Sequence, residues 1–214
     1  AYLVATDING NILWDDKQSI LGKYEFGGFL SLFDNGNIIS AGGIYDDDIV
    51  RNGKFYKTTP SGAAYFSKEI GTAGDDSEIE VKVAKNQKSL IVRQYIDTVI
   101  NAGDDPYVTY IGKMDTSGNF IWRTFLNNIY YKYLYTLRTF EDGSIVAVGF
   151  TMLDETFATY GYIIKLDSNG TVLWERTHAV GDSVGQYLYD FQQLGDKGYV
   201  ISGYGVDEYE GEML

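Results

Sequence analysis

Apolar and polar residues alternate along this chain in short runs broken by Gly, Asn, Asp and Ser, a period-two pattern that predicts β-strands joined by tight turns. The runs recur. Tyr2 to Trp14, Tyr56 to Phe66, Tyr110 to Trp122 and Tyr162 to Trp174 share a strand, a turn ending in glycine, and a large aromatic four residues later. The anchoring glycines Gly10, Gly62, Gly118 and Gly170 are spaced by 52, 56 and 52 residues, and their aromatics are Trp14, Phe66, Trp122 and Trp174. In three copies an Asp stands three residues before the glycine (Asp7, Asp115, Asp167). That Asp can cap its own turn and the glycine can take positive φ, as a short bulged hairpin requires.

A second series runs in parallel: Phe33 to Gly42, Phe140 to Gly149 and Leu194 to Gly203 each combine a turn with an apolar strand, the turn glycines being read as Gly36, Gly143 and Gly198. The corresponding stretch from Asn86 to Val92 keeps the strand and lacks the glycine. Two hairpins per period make about four strands per period, the content of a propeller blade. The expected fold is therefore all-β: a β-propeller of four repeats of about 53 residues, near 1–52, 53–106, 107–158 and 159–214, in one domain. Read on from Leu214 to Ala1, the pattern matches Gly149 to Asp167 without a gap. A closed four-bladed ring, half of an eight-bladed ring formed by a homodimer, and a portion of a longer array all satisfy that register. The aromatics after the turns are expected to pack between neighbouring sheets.

The string Tyr162-Ile-Ile-Lys-Leu-Asp-Ser-Asn-Gly170 with Trp174 resembles the degenerate propeller repeats of secreted and cell-surface proteins of bacteria and archaea. The resemblance extends over essentially the whole chain, and it implies a fold and an extracellular or cell-surface setting without implying an activity. The units are also distantly similar to quinoprotein-like blades. There the Asp precedes the Gly by one residue more than Asp7, Asp115 and Asp167 do, and nothing in the chain supports the quinone. Sialidase-type Asp boxes differ in the opposite sense, with the Gly two residues after the Asp.

Composition narrows the functions. The chain has 214 residues, 15% aromatics, no Cys and a formal charge of −13. The charge repels a phosphate backbone, which argues against nucleic acid as a partner. The lack of Cys excludes disulfides and thiolate chemistry. No apolar run reaches the roughly 20 residues of a membrane-spanning helix, so no membrane insertion is expected, and no leader-like segment follows Ala1.

Candidate chemistry is sparse. His178 is the single histidine, so neither a zinc site nor a triad has supporting context. Acidic residues recur between strands at Asp46 to Asp48, Asp75, Asp76, Asp104, Asp105, Asp154, Glu155, Asp182, Asp207 and Glu208. Asp46, Asp47, Asp75, Asp76, Asp104, Asp105 and Asp182 are the candidate binding residues, and Ca²⁺ is the one cofactor such loops could hold, although none has the spacing of an acidic calcium loop. A solvated negative rim is the plainer reading. Tyr130 to Tyr135 alternates so that one set of rings belongs to the core and the other to a surface able to stack on sugars or anchor a protein. The expected function is a non-catalytic extracellular binding or scaffold module for protein or glycan, acting through a loop face. The alternatives are a structural unit of a larger assembly and a glycan-active enzyme with paired carboxylates.

Overall fold

A computed structural model describes residues 2–17, 23–45, 51–72, 76–77, 79–97, 107–126, 131–152, 158–179 and 185–206. They form sixteen strands in four sheets and contain no helix. In chain order these are β1 (Tyr2–Thr6), β2 (Ile12–Lys17), β3 (Tyr24–Leu32), β4 (Ile38–Tyr45), β5 (Arg51–Thr58), β6 (Ala64–Ile70), β7 (Glu80–Val83) and β8 (Ser89–Asp97). Then follow β9 (Tyr107–Asp115), β10 (Phe120–Phe125), β11 (Lys132–Thr139), β12 (Ile145–Met152), β13 (Thr159–Leu166), β14 (Val172–His178), β15 (Gly185–Gln193) and β16 (Tyr199–Val206). The fold is all-β. Two antiparallel four-stranded sheets run β3-β4-β5-β6 and β7-β8-β9-β10, β1 and β2 pair with each other, and β11 to β16 share a six-stranded sheet. The chain divides into two compact units, 1–123 and 124–214.

The sheets are out of phase with the periods counted from Ala1. Each four-stranded sheet takes two strands from the second hairpin of one period and two from the first hairpin of the next. A periodicity fixes the length of a unit and leaves open where it starts.

Turn chemistry follows the sequence closely. Gly10, Gly62, Gly118 and Gly170 all have positive φ. The backbone amides of Asn9 and Asn11 donate to Asp7 Oδ1 at 2.8 and 2.9 Å, those of Ser117 and Asn119 to Asp115, and those of Asn169 and Thr171 to Asp167. In the second copy Thr59 stands at the Asp position and accepts from the Ala63 amide. Two alignments change. Counted from the turn glycines, Lys54 rather than Tyr56 is the counterpart of Tyr2, Tyr110 and Tyr162. In the second series the left-handed position after Leu194 is held by Lys197 (φ 68) and not by Gly198, and the glycine missing from the second copy is replaced by Gln87 (φ 58). Gln87 also caps another turn, its Oε1 accepting from the Asp34 amide at 2.9 Å.

These turns rest on neighbouring strands. Trp14 Nε1 on β2 donates to the Pro60 carbonyl at 2.9 Å, and a Cβ on Gly62 would lie 2.7 Å from the Trp14 ring. The next turn is seated similarly: Lys57 Nζ donates to the Thr116 carbonyl at 2.6 Å and Lys68 Nζ to Asn119 Oδ1 at 3.1 Å. Between the sheets of the first unit Ile39, Ala41, Phe55, Ile79, Val81, Leu90, Val92, Tyr110 and Met114 form a buried core. The second unit buries Val146, Val148, Ile163 and Phe191, with Trp174 and Tyr199 packed against them.

Two tests follow. Gly10→Ala adds only backbone strain, about 1 kcal/mol, because nothing lies within 4 Å of its Cβ position. Gly62→Ala adds a clash with the indole and should lose at least about 1 kcal/mol more in urea unfolding. The turn carboxyls give a pH signature. Hydrogen bonds from Asn11 hold Asp7 below its usual range, and those from Asn119 and Thr171 do so for Asp115 and Asp167. Groups depressed in the folded state contribute stability that is present above the unfolded carboxyl value of about 4 and lost as pH falls through the folded values. Urea midpoints should therefore be flat above about pH 5 and fall steeply below it, with a shallower fall in Asp115→Asn.

Candidate functional site

A single backbone device builds the most distinctive surface of the second unit. Antiparallel pairing of β11 with β12 skips Tyr135 between Leu134 and Thr136, and pairing of β15 with β16 skips Tyr189 between Leu188 and Asp190. Each skipped residue is a β-bulge, which bends its strand and re-aims the extra side chain. Both bulges lie opposite a glycine. A Cβ on Gly149 would sit 1.8 Å from the Tyr133 carbonyl oxygen, and one on Gly203 would sit 2.4 Å from that of Tyr187. No other residue permits that backbone approach. The same arrangement recurs in the first unit, where Gly42 opposes the bulge between Gly27 and Phe29.

The bulges bring the rings of Tyr135 and Tyr189 together, with centroids 4.5 Å apart. Around that contact Tyr131 and Tyr133 stand nearly parallel, 6° between planes and 6.4 Å between centroids. Phe150 on β12 touches Tyr131, Tyr133, Tyr135 and Tyr187, and Tyr204 closes the row beside Tyr187. Seven aromatic side chains thus adjoin on β11 and the residue before it, β12, β15 and β16, six half-buried and Tyr189 exposed. Lys132 and Leu134 point to the opposite, buried side of β11. The alternation of Tyr130 to Tyr135 therefore assigns Tyr131, Tyr133 and Tyr135 to the surface and a lysine and a leucine to the interior.

Lys132 is accommodated by Glu175, whose carboxylate it meets at 2.9 Å, and by the Tyr162 ring 4.7 Å from its ammonium. The Tyr162 hydroxyl also donates to Glu175. At the margin of the aromatic surface Arg138 Nε donates to the Phe191 carbonyl and its Nη2 meets Asp190 at 2.8 Å. That pair is well exposed and adds little stability. Burial, and then the adjacent Tyr189 phenol, push the Tyr135 phenol above its ordinary range. An aromatic surface of this kind offers flat apolar faces with hydroxyls at their edges.

A second concavity, in the first unit, has a volume of about 340 Å³ and is lined by Lys68, Glu69, Thr72, Gln94, Tyr110 and Arg123 among others. Its floor is internally satisfied. Gln94 Nε2 donates to the carbonyls of Ile70 and Ser77, and its Oε1 accepts from the Tyr110 hydroxyl at 2.8 Å. The Arg123 guanidinium lies over Phe120 at 4.7 Å.

Of the acidic loop residues, Asp76 is the one among the described residues. It is buried, accepts from the Thr72 amide and hydroxyl, and donates its own amide to the Arg51 carbonyl, so it ties a loop. Asp46, Asp47, Asp75, Asp104, Asp105 and Asp182 lie outside the described residues, as do Asp48, Asp154, Glu155, Asp207 and Glu208. No cluster of three or more His, Asp or Glu side chains suited to a metal occurs among the described residues. His178 ends β14 on an exposed edge. Of the turn aromatics, Trp14, Phe66, Trp122 and Trp174 are all half-buried.

No protein-family description matches this chain, and no curated protein matches it. Solved structures do match it. A hypothetical protein from Leishmania major superposes with a TM-score of 0.50 and 12% identity over 84% of this chain and 62% of that one. This chain therefore spans less than two thirds of that protein's length, and at such identity the likeness is one of fold.

The bulge account is testable without a ligand. Gly149→Ala cannot keep the Tyr133 carbonyl where it is. We expect a loss of about 2 kcal/mol, a changed near-ultraviolet tyrosine dichroism, and a Tyr135 phenol that ionises closer to the ordinary value of 10.0. Conserved dichroism in a folded variant would separate the aromatic surface from the bulge.

Proposed function

We propose that this chain is a non-catalytic binding module built from four propeller-type repeats, which recognises a neutral glycan through the aromatic surface of its second unit. The observation that carries the reading is the seven-ring cluster from Tyr131 to Tyr204, left half-exposed on a sheet that buries its other face. Large exposed apolar patches on soluble domains mark interaction sites. Parallel rings suit the apolar face of a pyranose, and the tyrosine hydroxyls can hydrogen-bond at its rim. A formal charge of −13 disfavours sulfated or uronate-rich chains. A binding surface on a sheet face differs from the loop face expected from the acidic runs. The propeller reading draws on the repeat of hairpins and bulges. An extracellular or cell-surface setting belongs to the same proposal, and rests on the resemblance of the repeats.

The non-catalytic reading is supported by the structural tasks of three carboxylates with buried partners, Glu25, Glu80 and Glu175. Glu25 receives Lys54 Nζ and the Tyr56 hydroxyl. Glu80 is buried with Arg93 at 3.1 Å, and Glu175 holds Lys132.

Binding to an array of neutral glycans, followed by calorimetry on the best, is the test. Tyr135→Ala and Tyr189→Ala should each weaken binding at least about tenfold, or about 1.4 kcal/mol, while Tyr65→Ala, an exposed ring of the first unit, should not. Absence of binding to any neutral glycan, or equal losses in all three variants, overturns the glycan assignment.

A further inference from the structure

The first unit departs from its own repeat at three positions that meet in space. Counted from the turn glycines Gly10, Gly62, Gly118 and Gly170, Gly112 on β9 corresponds to Val4, Tyr56 and Ile164. Phe120 on β10 corresponds to Ile12, Ala64 and Val172, and Arg123 to Asp15, Ser67 and Glu175. The third copy has therefore lost a side chain at one position and gained a ring and a cation at two others. A Cβ on Gly112 would lie 2.9 Å from the Phe120 ring and 3.2 Å from Arg123 Cγ, so the bare glycine is the surface on which both side chains lie down. The ring fills the space that the missing side chain leaves. Arg123 goes further, for its guanidinium is carried back over Phe120, 4.7 Å from the ring centroid, and to 5.8 Å from that of Tyr110.

This arrangement puts a cation at the mouth of the concavity of about 340 Å³ that Arg123 and Tyr110 help to line. Lys68 on β6 lines it from the neighbouring sheet, held by Asn119 Oδ1 at 3.1 Å. Glu69 also borders the concavity, but its carboxylate accepts from Asn52 Nδ2 at 2.9 Å and faces Lys23 at 4.0 Å. The interior is of another kind. Gln94 donates both amide hydrogens to the carbonyls of Ile70 and Ser77, and Tyr110 donates its hydroxyl hydrogen to Gln94, so neither has a hydrogen left for a ligand. Ile70 and Ile96, both buried, add apolar surface.

A cationic mouth over a satisfied and partly apolar floor suits a ligand with one charged end and an apolar body. Sugar hydroxyls turned to such a floor would go unpaired, at about 1–3 kcal/mol each. A multiply charged anion would be repelled by a chain of formal charge −13. We propose that this concavity binds a small monocarboxylate with an aromatic or apolar body, its carboxylate held between Lys68 and Arg123. The planar guanidinium offers two parallel N–H donors to such a group and the ammonium a point charge. The volume is at the lower end of small-molecule sites, which suits one ring with a short side chain. The site lies within the first unit and does not rest on the glycan reading.

Calorimetric titration with phenylacetate, indole-3-acetate, acetate and the neutral phenylacetamide is the test. One of the two aromatic acids should bind with a Kd below about 1 mM, and acetate and phenylacetamide at least about tenfold more weakly, since each lacks one half of the match. Arg123 is exposed, so Arg123→Gln keeps the fold by circular dichroism. Arg123→Gln and Lys68→Gln should each weaken the aromatic acid at least about tenfold. Lys88→Gln removes the same charge from an exposed turn position and should change binding less than about twofold. Gly112→Val, which restores the residue type of Val4, should weaken binding as much as Arg123→Gln does. Failure of both aromatic acids to bind overturns the proposal. So does equal binding of phenylacetate and phenylacetamide, inorganic phosphate binding as tightly as phenylacetate, or a loss in Lys88→Gln equal to that in Arg123→Gln.

Discussion

Much of this structure depends on the close approach of two backbones where a glycine faces a bulge. At Gly42, Gly149 and Gly203 a carbonyl oxygen occupies the space in which any side chain would begin. The glycine makes room for one extra residue on the facing strand, the extra residue bends that strand, and the bend decides which side chains meet. In the second unit the extra residues are tyrosines, and their contact organises an aromatic surface. In the first unit the extra residue at β3 is Gly28, which brings no ring, and Tyr24, Phe26 and Tyr45 adjoin there among the described residues. One backbone device thus yields different surfaces, according to the residue placed in the bulge.

The turns supply the second constraint. A left-handed residue at each hairpin and a side-chain oxygen that accepts from the amides beyond it specify the hairpins locally. Asn35, Asn86, Asp142 and Asp196 play the same part in the second series as Asp7, Asp115 and Asp167 in the first. Because the turns are self-contained, they can be docked as units. Gly62 under Trp14 and the turn from Asp115 to Asn119 beside Lys57 and Lys68 show turns serving as contacts between hairpins distant in sequence.

This separation between local and distant contacts explains what could be read from sequence. Hairpins were legible because Asp7-x-x-Gly10 and its copies encode a turn within four residues. The position of each glycine at positive φ in the first series followed from the same motif. Lys197 was not legible. Gly198 is the better left-handed residue by composition, yet the Leu194 carbonyl accepts from the Lys197 amide and the Leu194 amide donates to Gly198, so the strand register placed Lys197 in the strained position. The phase of the sheets was illegible because both hairpins of a period are equally self-contained. The fate of the tyrosines was equally hidden. Alternation puts Tyr131, Tyr133 and Tyr135 on one side of β11, but the choice of side was made by Lys132 and Leu134, and the burial of Lys132 relies on Glu175, 43 residues away, and on the Tyr162 ring.

Charge and edge exposure act against each other in this chain. Val4, Leu30 and Leu32 leave an apolar groove beside β1, which among the described residues pairs on one edge, an arrangement that promotes association with an extended segment. The excess of 30 acidic over 17 basic residues opposes it, since like-charged chains repel at long range. Repulsion of this kind decays over about 8 Å at physiological salt, whereas apolar burial and strand pairing act only at contact. A partner must therefore fit the groove and the edge together to overcome the barrier, and segments that match only one are kept away. Net charge thus raises the barrier to casual strand addition at this edge without removing the apolar contact that a well-fitting segment would make.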